Sequence, residues 1–285
     1  MSRDITLCVL FYNKKDLVER CLANICENIL TSGDVDVLAL DNGSQTDIYS
    51  VMRSFPGVKA FRVEDNRFFS GGANYLFERC SSKHVFFVTS DVFPERSTIM
   101  RMVDFAESNP DVGLIGCSSI LPTGVTERTA KKEMSPWVMH FQYGAGSQIA
   151  RWCQGAFSRW YHYGSKGFPF SKPTEVDVIQ DSFIYIKGEL LQKGLRFDEC
   201  MKLYFTEDDL CLNVKSRGYK VVFYPEVSVR HILQATLDQR DLKVWDMYLD
   251  DCVAYLCKYH GVHGKVLEAC VRGKRTLKKV LGYVK

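Results

Sequence analysis

The sequence has 285 residues, 46% of them hydrophobic and 25% charged, which is the composition of an ordinary soluble globular protein. These values exclude disordered, collagen-like and coiled-coil chains, and the length suits one large domain with or without an appendage. The net charge of +3 is too small to indicate a nucleic acid partner. Residues 258–285 hold eight Lys and Arg against one Glu, so this tail carries +7 and the rest of the chain −4.

The eleven cysteines are scattered and include no C-x-x-C pair. Several lie in apolar runs, which is typical of reduced core thiols and not of a disulfide framework or a zinc site. The first residues lack the pattern of a signal peptide, and no run of 18 apolar residues predicts a transmembrane helix. We therefore expect a cytoplasmic location.

Residues 1–117 predict alternating strands and helices. Apolar runs that recur every 23–30 residues predict strands buried on both faces, and residues 17–29 between the first two runs have helical spacing. This alternation indicates βαβ units and a mainly parallel sheet. The predicted strands are Ile5–Phe11, Val35–Leu40, Val58–Val63, His84–Thr89 and Val112–Cys117.

Residues 118–175 are rich in aromatic residues and show no clean period. A long aromatic segment inside a domain is typically functional, although packing of its own aromatic side chains is the plainer alternative. Regular structure is predicted again beyond it. The predicted elements are strand Ser182–Lys187, helix Glu207–Arg217, strands Val221–Tyr224 and Val227–His231 on either side of Pro225, and helices from Leu237 with breaks at Gly261 and Gly264.

Polar residues follow each of the first four predicted strands. Ligands of open α/β sheets bind at the carboxyl ends of the strands, so these clusters should meet at one edge. Each cluster alone is an ordinary turn signal, whereas four in succession favour a binding site. The clusters are Tyr12-Asn13, Asp41-Asn42-Gly43-Ser44, Asp65-Asn66 with Ser70 to Asn74, and Ser90-Asp91.

Two rival kinds of nucleotide site are excluded by the same segments. The turn after the first strand reads Tyr12-Asn13-Lys14-Lys15, without the G-x-G of a dinucleotide or S-adenosylmethionine site, and no P-loop is present. The Gly-rich, basic early loop of a sugar-phosphate nucleotidylyltransferase is also missing. A nucleotide would therefore be bound by Asp and Asn side chains with a metal.

The most acidic string of the sequence is Thr206-Glu207-Asp208-Asp209. One interpretation is a helix start, with Thr206 as the cap and three acids that complement the positive end of the helix. The other is a general base in a cleft. His231 is either a solvated strand end or a metal ligand, and we interpret the pair His260 and His263 as structural.

Taken together, these residues resemble glycosyltransferase family 2, most closely its rhamnosyltransferase-like branch. The similarity in order and spacing covers about residues 4–232. The matching segments are Phe11-Tyr12-Asn13, Ala39 to Ser44, Asn66 with Gly71 to Asn74, Ser90-Asp91-Val92, Phe197-Asp198-Glu199 with Tyr204, Glu207 to Cys211, and Tyr224-Pro225 with His231.

The resemblance implies a GT-A fold, an α/β Rossmann-like nucleotide-binding domain with a mainly parallel central sheet. It also implies a nucleoside-diphosphate sugar donor, a divalent cofactor (Mn²⁺ or Mg²⁺) and inversion at the anomeric carbon. The implied roles are base binding for Tyr12, Asn13 and Asp41, ribose-side binding for Asn66 and Asn74 with Gly72 and Ser90 nearby, metal binding for Asp91 and His231, and general base for Asp208, with Glu207 and Asp209 as alternatives.

The sequence departs from the family pattern at three places. Thr89 stands where the family usually has a second polar or acidic residue, two before Asp91. The acidic motif reads Glu-Asp-Asp-Leu, where the family often has Glu-Asp-x-Asp-Leu, so the position of the base is open to a shift by one residue. Asp181-Ser182 replaces the Gly that relatives often carry before Phe183, which bears on the acceptor pocket.

These observations predict an inverting, metal-dependent glycosyltransferase that transfers a rhamnose-like sugar to a glycan or glycoconjugate, in the manner of polysaccharide biosynthesis. The alternatives are another donor (UDP-xylose, UDP-glucose or UDP-galactose) and a non-catalytic nucleotide-sugar-binding protein. Trp137, Trp152, Trp160 and Asp181 are the acceptor-binding candidates. The expected domains are residues 1–235 (donor half 1–117, acceptor half 118–235) and a basic helical extension, 236–285, which either packs on the domain or contacts a membrane peripherally.

Overall fold

Twelve strands and nine α-helices make up the part of the chain that the computed structural model describes, residues 4–127, 129–143, 170–232 and 242–280. A single 3₁₀ turn covers Leu30–Ser32. The strands are β1 Ile5–Phe11, β2 Val35–Asn42, β3 Val58–Val63, β4 His84–Thr89, β5 Val92–Phe93, β6 Val112–Ile120, β7 Thr126–Glu127, β8 Ala130–Lys131, β9 Thr174–Glu175, β10 Val178–Ile179, β11 Phe183–Lys187 and β12 Lys220–His231.

The helices fill the connections and the C-terminal region. In the described part of the chain, every helix is too short or too polar to pass through a lipid bilayer. They are α1 Lys15–Asn28, α2 Tyr49–Arg53, α3 Phe68–Phe77, α4 Arg96–Ser108, α5 Pro136–Tyr143, α6 Gly188–Gln192, α7 Thr206–Ser216, α8 Leu242–His260 and α9 Val262–Val280.

The main sheet has the order β3-β2-β1-β4-β11-β6-β12-β5, with β7 beside β6 and β9 beside β12. Strands β1 to β4 pair in parallel, as do β6 and β12, whereas β11 is antiparallel to both of its neighbours. A separate ladder joins β8 to β10. The prediction of an α/β fold with a mainly parallel sheet is confirmed, and the carboxyl ends of β1 to β4 lie at one edge.

Helices cover both faces of this sheet because its central strands are apolar on both sides. One core cluster packs α1, α2 and α4 on one face, and a second packs α3, α6 and α7 on the other. A third cluster joins α5, α8 and α9 to the chain just before α7, through Met201 and Phe205. The C-terminal helices therefore pack beside the acidic string.

Two sequence expectations for the later elements were wrong. Pro225 does not separate two strands, because β12 runs through it with a register shift between Tyr224 and Ser228, and such an irregularity accommodates a residue without an N–H. Gly264 does not break a helix but lies within α9. A Cβ at Gly264 would lie 2.3 Å from the backbone nitrogen of Cys257, so the absence of a side chain lets α9 approach α8.

Candidate active site

The polar edge, formed by the residues that end or follow β1 to β4, is held together by hydrogen bonds between successive loops. The N–H of Asn13 donates to Ser44 Oγ at 2.7 Å, and the N–H of Gln45 donates to Asn13 Oδ1 at 2.9 Å. Asn13 adopts a positive φ of 55°, which Asn tolerates better than most residues. The loops after β1 and β2 are thereby fixed to each other, with Tyr12 half-buried beside them.

Asp41 is the buried acid of this edge, with no exposed surface. Its Oδ1 accepts from the N–H of Ser44 at 3.0 Å, whereas Oδ2 has no hydrogen-bond partner in the described structure. Arg62 Nε lies 3.6 Å from Oδ2 and supplies compensating charge. A buried carboxylate oxygen with unused acceptor capacity is a strong binding group for an N–H donor of a ligand.

Asn42, which the sequence analysis did not select as a site residue, connects this loop to the start of α3. Its amide nitrogen donates to Asn66 Oδ1 at 3.1 Å and to the carbonyl of Phe68 at 2.7 Å. Its Oδ1 accepts from the N–H of Arg67 at 3.2 Å. The only sequence signal for Asn42 was its place among the turn-forming residues 41–44. Its role as a structural anchor comes instead from its burial and its hydrogen bonds.

Two glycines allow these loops to approach closely. Gly43 has φ 76°, and a Cβ there would lie 2.5 Å from the backbone nitrogen of Asn66, so any side chain would push apart the loops after β2 and β3. Gly72 lies in α3, where a Cβ would lie 2.7 Å from Leu10 Cδ1 and 3.0 Å from Asn42 Nδ2.

Asn74 links the polar edge to a distant segment of the chain. Its amide nitrogen donates to the carbonyl of Phe197 at 2.9 Å and to Glu199 Oε1 at 3.0 Å, and its Oδ1 accepts from the N–H of Phe197 at 2.9 Å. These bonds use both ends of the amide, so Asn74 anchors the Phe197–Glu199 segment. Its role in donor binding, like those of Asn66 and the half-buried Ser90, stays a prediction.

Asp91 and His231 meet at the same edge although they are 140 residues apart in sequence. Antiparallel pairing of β12 with β5 brings His231 opposite Val92, and His231 Nε2 lies 3.3 Å from Asp91 Oδ2. The other ring nitrogen, Nδ1, lies 3.2 Å from Glu127 Oε2. Glu127 was missed by the sequence analysis because nothing in the sequence around β7 links it to the other two residues.

The electrostatic state of this pair follows from its surroundings. Burial lowers the pKa of His231, but the hydrogen bonds and charges of Asp91 and Glu127 outweigh it and raise the pKa to about 9. Burial raises the pKa of Asp91, but His231 and the Thr89 hydroxyl, which donates to Asp91 Oδ1 at 2.9 Å, hold it below its ordinary value. Asp91 is therefore ionised at neutral pH.

The donor set at Asp91 and His231 fits a divalent cation that a ligand helps to hold. A carboxylate and a neutral imidazole are both metal ligands, and a diphosphate would supply further oxygens suited to Mg²⁺ or Mn²⁺. Because the raised pKa of His231 keeps its ring protonated at neutral pH, a cation bound to this ring would have to displace one of its protons. Within residues 4–127, 129–143, 170–232 and 242–280, no three His, Cys, Asp or Glu side chains converge to hold a metal by themselves. Glu127 and Asp91 lie at opposite ring nitrogens of His231, so they do not converge on one point.

The acidic centre comprises Lys131, Asp181 and residues 206–209 at the start of α7. The N-cap of α7 is Phe205 with φ 60°, and no side chain caps the helix. The expectation that Thr206 is the cap was wrong, because Thr206 is the first helical residue and its hydroxyl donates to Asp181 Oδ2 at 2.7 Å. Phe205, in the left-handed conformation, occupies the N-cap position that we expected for Thr206. The helix therefore begins at Thr206, one residue earlier than expected.

The three acids of α7 have different environments. Asp208 and Asp209 have no exposed surface, whereas 18% of the Glu207 side chain is exposed. Lys131 Nζ lies 2.8 Å from Glu207 Oε1 and 2.5 Å from Asp208 Oδ2. Asp209 Oδ1 is bound by residues of α8. Of the three carboxylates, only that of Glu207 is open to a ligand.

Asp209 is fixed by α8. Lys258 Nζ lies 2.6 Å from Asp209 Oδ1, and the Tyr259 hydroxyl donates to the same oxygen at 2.6 Å. Lys258 also donates to Asp198 Oδ2 at 2.7 Å, within the Phe197–Glu199 segment that Asn74 anchors. Asp209 therefore joins the acidic centre to the C-terminal helices and has a structural position.

The acceptor-binding candidates are only partly within the described structure. Trp137 lies in α5 with 70% of its surface exposed, and its ring packs edge-on against His263 of α9 at a centroid distance of 5.0 Å. Asp181 lies in the acidic centre, beside the candidate base. Trp152 and Trp160 lie outside the described residues.

Three solved structures share this fold. The mannosyltransferase PcManGT from Pyrobaculum calidifontis, in complex with GDP-Man and Mn²⁺, aligns with a TM-score of 0.59 at 16% identity, covering 94% of this chain and 69% of that one. GalNAc-T7 with UDP, GalNAc and Mn²⁺ aligns with 0.60 at 11% identity, covering 87% and 47%. TarS of S. aureus aligns with 0.55 at 12% identity, covering 93% and 42%.

These likenesses concern the fold, which is the Rossmann-like GT-A type of nucleotide-sugar-dependent transferases. This chain spans less than half the length of GalNAc-T7 and of TarS. No curated protein sequence gives a significant match. The family model of glycosyl transferase family 2 matches residues 6–195, well over half of the sequence. The chain therefore belongs to glycosyl transferase family 2 and is a glycosyltransferase.

Proposed function

We propose that this glycosyltransferase is inverting and metal-dependent, and that it transfers a sugar from a nucleoside diphosphate to a hydroxyl of a glycan or glycoconjugate. The observation that carries the proposal is the meeting of Asp91 with His231 at the edge where the strand-end loops also meet. A rhamnose-like donor is favoured by the sequence resemblance. UDP-xylose, UDP-glucose and UDP-galactose are the alternative donors.

The donor nucleotide would lie along the polar edge. Asp41 Oδ2, buried and without a hydrogen bond in the described structure, is suited to accept from an N–H of the base, with Tyr12 and Asn13 beside it. Asn66 and Asn74 are proposed for the ribose side, and Gly72 and Ser90 are proposed to contact the donor nearby. A base without an N–H at the matching position would leave the Asp41 oxygen unpaired, which costs affinity.

Asp91 and His231 would hold the divalent cation together with the donor diphosphate. Such a cation supplies charge stabilisation to the departing diphosphate. The task of the two residues would be to present an ionised carboxylate and, once the cation displaces a proton from the His231 ring, a neutral imidazole at the phosphate end of the polar edge. PcManGT and GalNAc-T7 were both solved with Mn²⁺, which supports a metal of this kind here.

We propose Glu207 as the general base, in place of Asp208. A base must touch the hydroxyl whose proton it removes. The Asp208 side chain has no exposed surface, whereas the Glu207 side chain is partly exposed. The shortened acidic motif left a shift of one residue open, and the burial of the side chains supports that shift.

In the proposed reaction the acceptor O–H bond breaks and its proton moves to Glu207. The freed oxygen forms a bond to the anomeric carbon as the bond from that carbon to the diphosphate oxygen breaks. Attack opposite the leaving group inverts the configuration. Trp137, which is largely exposed, offers an aromatic face that suits the apolar face of a sugar ring, and Trp152, Trp160 and Asp181 complete the proposed acceptor site.

Release of nucleoside diphosphate from a panel of nucleotide sugars tests this function, with the anomeric configuration of the product determined by NMR. We expect release with one donor class, inversion in the product and loss of turnover in EDTA that Mn²⁺ restores. Undiminished turnover in EDTA would exclude the metal role. Donor binding without any release would favour the non-catalytic nucleotide-sugar-binding alternative.

The basic tail supports a proposed peripheral contact with an anionic membrane that carries a glycoconjugate acceptor. Leu267 and Val271 of α9 are buried against α5 and α8, whereas Val262 and Val266 are exposed. An apolar stripe beside many cations is typical of an interfacial helix. Cosedimentation with anionic liposomes at low salt should capture the protein, and Val262→Glu with Val266→Glu should release it.

A cytoplasmic location, a role in polysaccharide biosynthesis and the division at residue 235 belong to the same proposal. The third core cluster packs α8 and α9 against Met201 and Phe205, so the proposed extension is in contact with the domain that precedes it. Limited proteolysis followed by mass spectrometry tests the boundary. A stable fragment ending near residue 235 would support a separable extension, and failure to obtain one would make the tail part of the catalytic domain.

A further inference from the structure

Lys131 is the cation of the acidic centre, and it comes from a part of the chain far from α7. It lies in β8, which pairs with β10, Lys131 opposite Val178. Its ammonium group contacts Glu207 and Asp208 at once, at 2.8 and 2.5 Å. Only 13% of the Lys131 side chain is exposed, so both contacts are shielded from solvent and strong.

The acids around this ammonium group outnumber it. Glu207, Asp208 and Asp181 all lie within the cluster, Asp181 through its bond with Thr206. Asp208 Oδ1 has no hydrogen-bond partner in the described structure, so Lys131 provides the contact that compensates this fully buried carboxylate. The titratable and charged groups that face the acids are Lys131, Asp181, Tyr255, Cys211 and Cys252.

We propose that Lys131 is a positioning residue for the general base: it holds one oxygen of Glu207 and neutralises Asp208, so that Glu207 alone receives the acceptor proton. This inference rests on the proposed function and assigns a role within it. Lys131 keeps its own proton throughout. The proton of the acceptor hydroxyl passes to the Glu207 carboxylate, of which Oε1 stays bound to Lys131.

The surrounding electrostatics agree with this role. Burial raises the pKa of Asp208 to about 6, and Lys131 limits the rise while Glu207 adds to it. Burial and the charge of Glu207 raise the pKa of Asp181 to about 8, so Asp181 is mostly protonated at neutral pH. Without the ammonium group, like-charge repulsion and burial would favour protonation of the remaining acids, and a protonated base cannot act.

The pH dependence of turnover tests the proposal, with Lys131→Met as the main variant. We expect the acidic limb of the rate profile to move up by about one pH unit or more and kcat at pH 7 to fall about 10–100-fold. The KM for the donor should change by less than about 2-fold, because Lys131 contacts Glu207 and Asp208 of α7, which are not part of the polar edge. Lys131→Arg keeps the charge and should restore the position of the limb.

Lys215→Met is the matched control. Lys215 lies in α7 and pairs with Asp177 at 3.4 Å on a more exposed surface. Its loss therefore removes one positive charge close to the helix that Lys131 contacts, without touching the acidic centre. It should leave the acidic limb in place. A Lys131→Met enzyme with an unmoved limb overturns the positioning role, and a limb that moves equally in both variants reduces it to a general charge effect, which also overturns it.

Thermal unfolding gives a readout that does not depend on activity. Lys131→Met should lower Tm by about 5–10 °C, the effect expected for one partner left alone in a buried ion pair. The deficit should grow from pH 5 to pH 8, because ionisation of the uncompensated acid becomes more favourable in the unfolded chain. Adding Asp208→Asn should restore more than half of the loss, and no restoration would contradict the neutralising contact.

These experiments separate the positioning role from the function on which it rests. A wild-type protein that releases no nucleoside diphosphate from any donor would overturn the proposed function. An active wild type whose Lys131→Met variant keeps its profile would overturn only the role of Lys131.

Discussion

The polar edge and the acidic centre both hold polar groups inside the folded protein, but they do so through different interactions. At the polar edge, loops that follow successive strands hold each other through neutral hydrogen bonds, as Asn13 does with Ser44 and Asn42 with Asn66. In the acidic centre, carboxylates of α7 meet cations from distant segments, Lys131 before it and Lys258 after it.

This difference predicts how each region responds to change. Neutral hydrogen bonds tolerate pH and salt, and losing one costs about 1 kcal/mol. Buried ion pairs depend on both partners, and removing one leaves an uncompensated charge that costs about 3–5 kcal/mol. The acidic centre should therefore dominate the mutational sensitivity of the protein and its pH dependence below neutral pH, where Asp208 titrates. The polar edge should govern donor affinity, and its His231 titrates only above neutral pH.

The largest effect is expected at Glu207. Glu207→Gln keeps the size of the side chain but removes the proposed base, so kcat should fall about 10²–10⁴-fold, the usual range for general base catalysis. The KM for the donor should hardly change, since Glu207 is not part of the polar edge. Steady-state kinetics check this. Near-normal turnover in Glu207→Gln together with an inactive Asp208→Asn would return the base to Asp208.

Asp251 tests whether the C-terminal helices belong to the acidic centre. Its buried carboxylate accepts three backbone N–H groups, from Lys202, Leu203 and Tyr204, each at 2.9 Å. Asp251→Ala leaves these donors unpaired and should lower the free energy of unfolding by about 3 kcal/mol or more. Chemical denaturation measures this, with exposed Asp250→Ala as the control. A loss equal to that of the control would mean that the helices are a dispensable appendage.

A smaller effect is expected at the polar edge. Asp41→Asn replaces a charged acceptor with an amide that presents a donor on one side, so donor affinity should fall about 10–100-fold, equivalent to 1.4–2.7 kcal/mol. Because the proposed base, Glu207, and the proposed metal-binding pair, Asp91 and His231, are untouched, kcat at saturating donor should stay within about 3-fold. Isothermal titration with the nucleoside diphosphate and steady-state kinetics measure both quantities. A collapse of kcat with unchanged affinity would place Asp41 outside the donor site.

The smallest effect is expected at Tyr259. Tyr259→Phe removes one hydrogen bond to Asp209 and leaves Lys258 in place. The free energy of unfolding should fall by about 1–2 kcal/mol, with kcat and donor KM near those of the wild type. Denaturation and kinetics on the same preparation check both. A large loss of turnover would give Asp209 a direct catalytic role that its burial argues against.

Strand positions were predictable because a buried parallel strand is a continuous apolar run. β1, β3 and β4 have the predicted limits, and β2 and β6 extend the predictions by two and three residues. The residues that follow each strand could then be identified from the predicted strand limits, so the polar edge could be predicted as well. Asn42 was not predicted as a site residue, because its residue type indicates a turn but the sequence does not show that its side chain is buried.

The start of α7 could be predicted only approximately. Three acids after Thr206 indicate a helix start, but the left-handed Phe205 takes the cap position, a conformation that residue type alone gives no reason to expect. A shift of one residue rotates a helical position by about 100°. The sequence therefore could not predict which of the three acids, Glu207, Asp208 or Asp209, is buried and which is exposed.

The sequence by itself determined the α/β class, the positions of the strands and the residues at their carboxyl ends, because local periodicity and turn chemistry encode all three. Only the tertiary structure decided the partners: Glu127 beside His231, Lys131 between Glu207 and Asp208, and Asp251 beneath the turn before α7. The physical reason is that ion pairs and buried hydrogen bonds depend on distance in space, and these partners lie 47 to 104 residues apart in the chain.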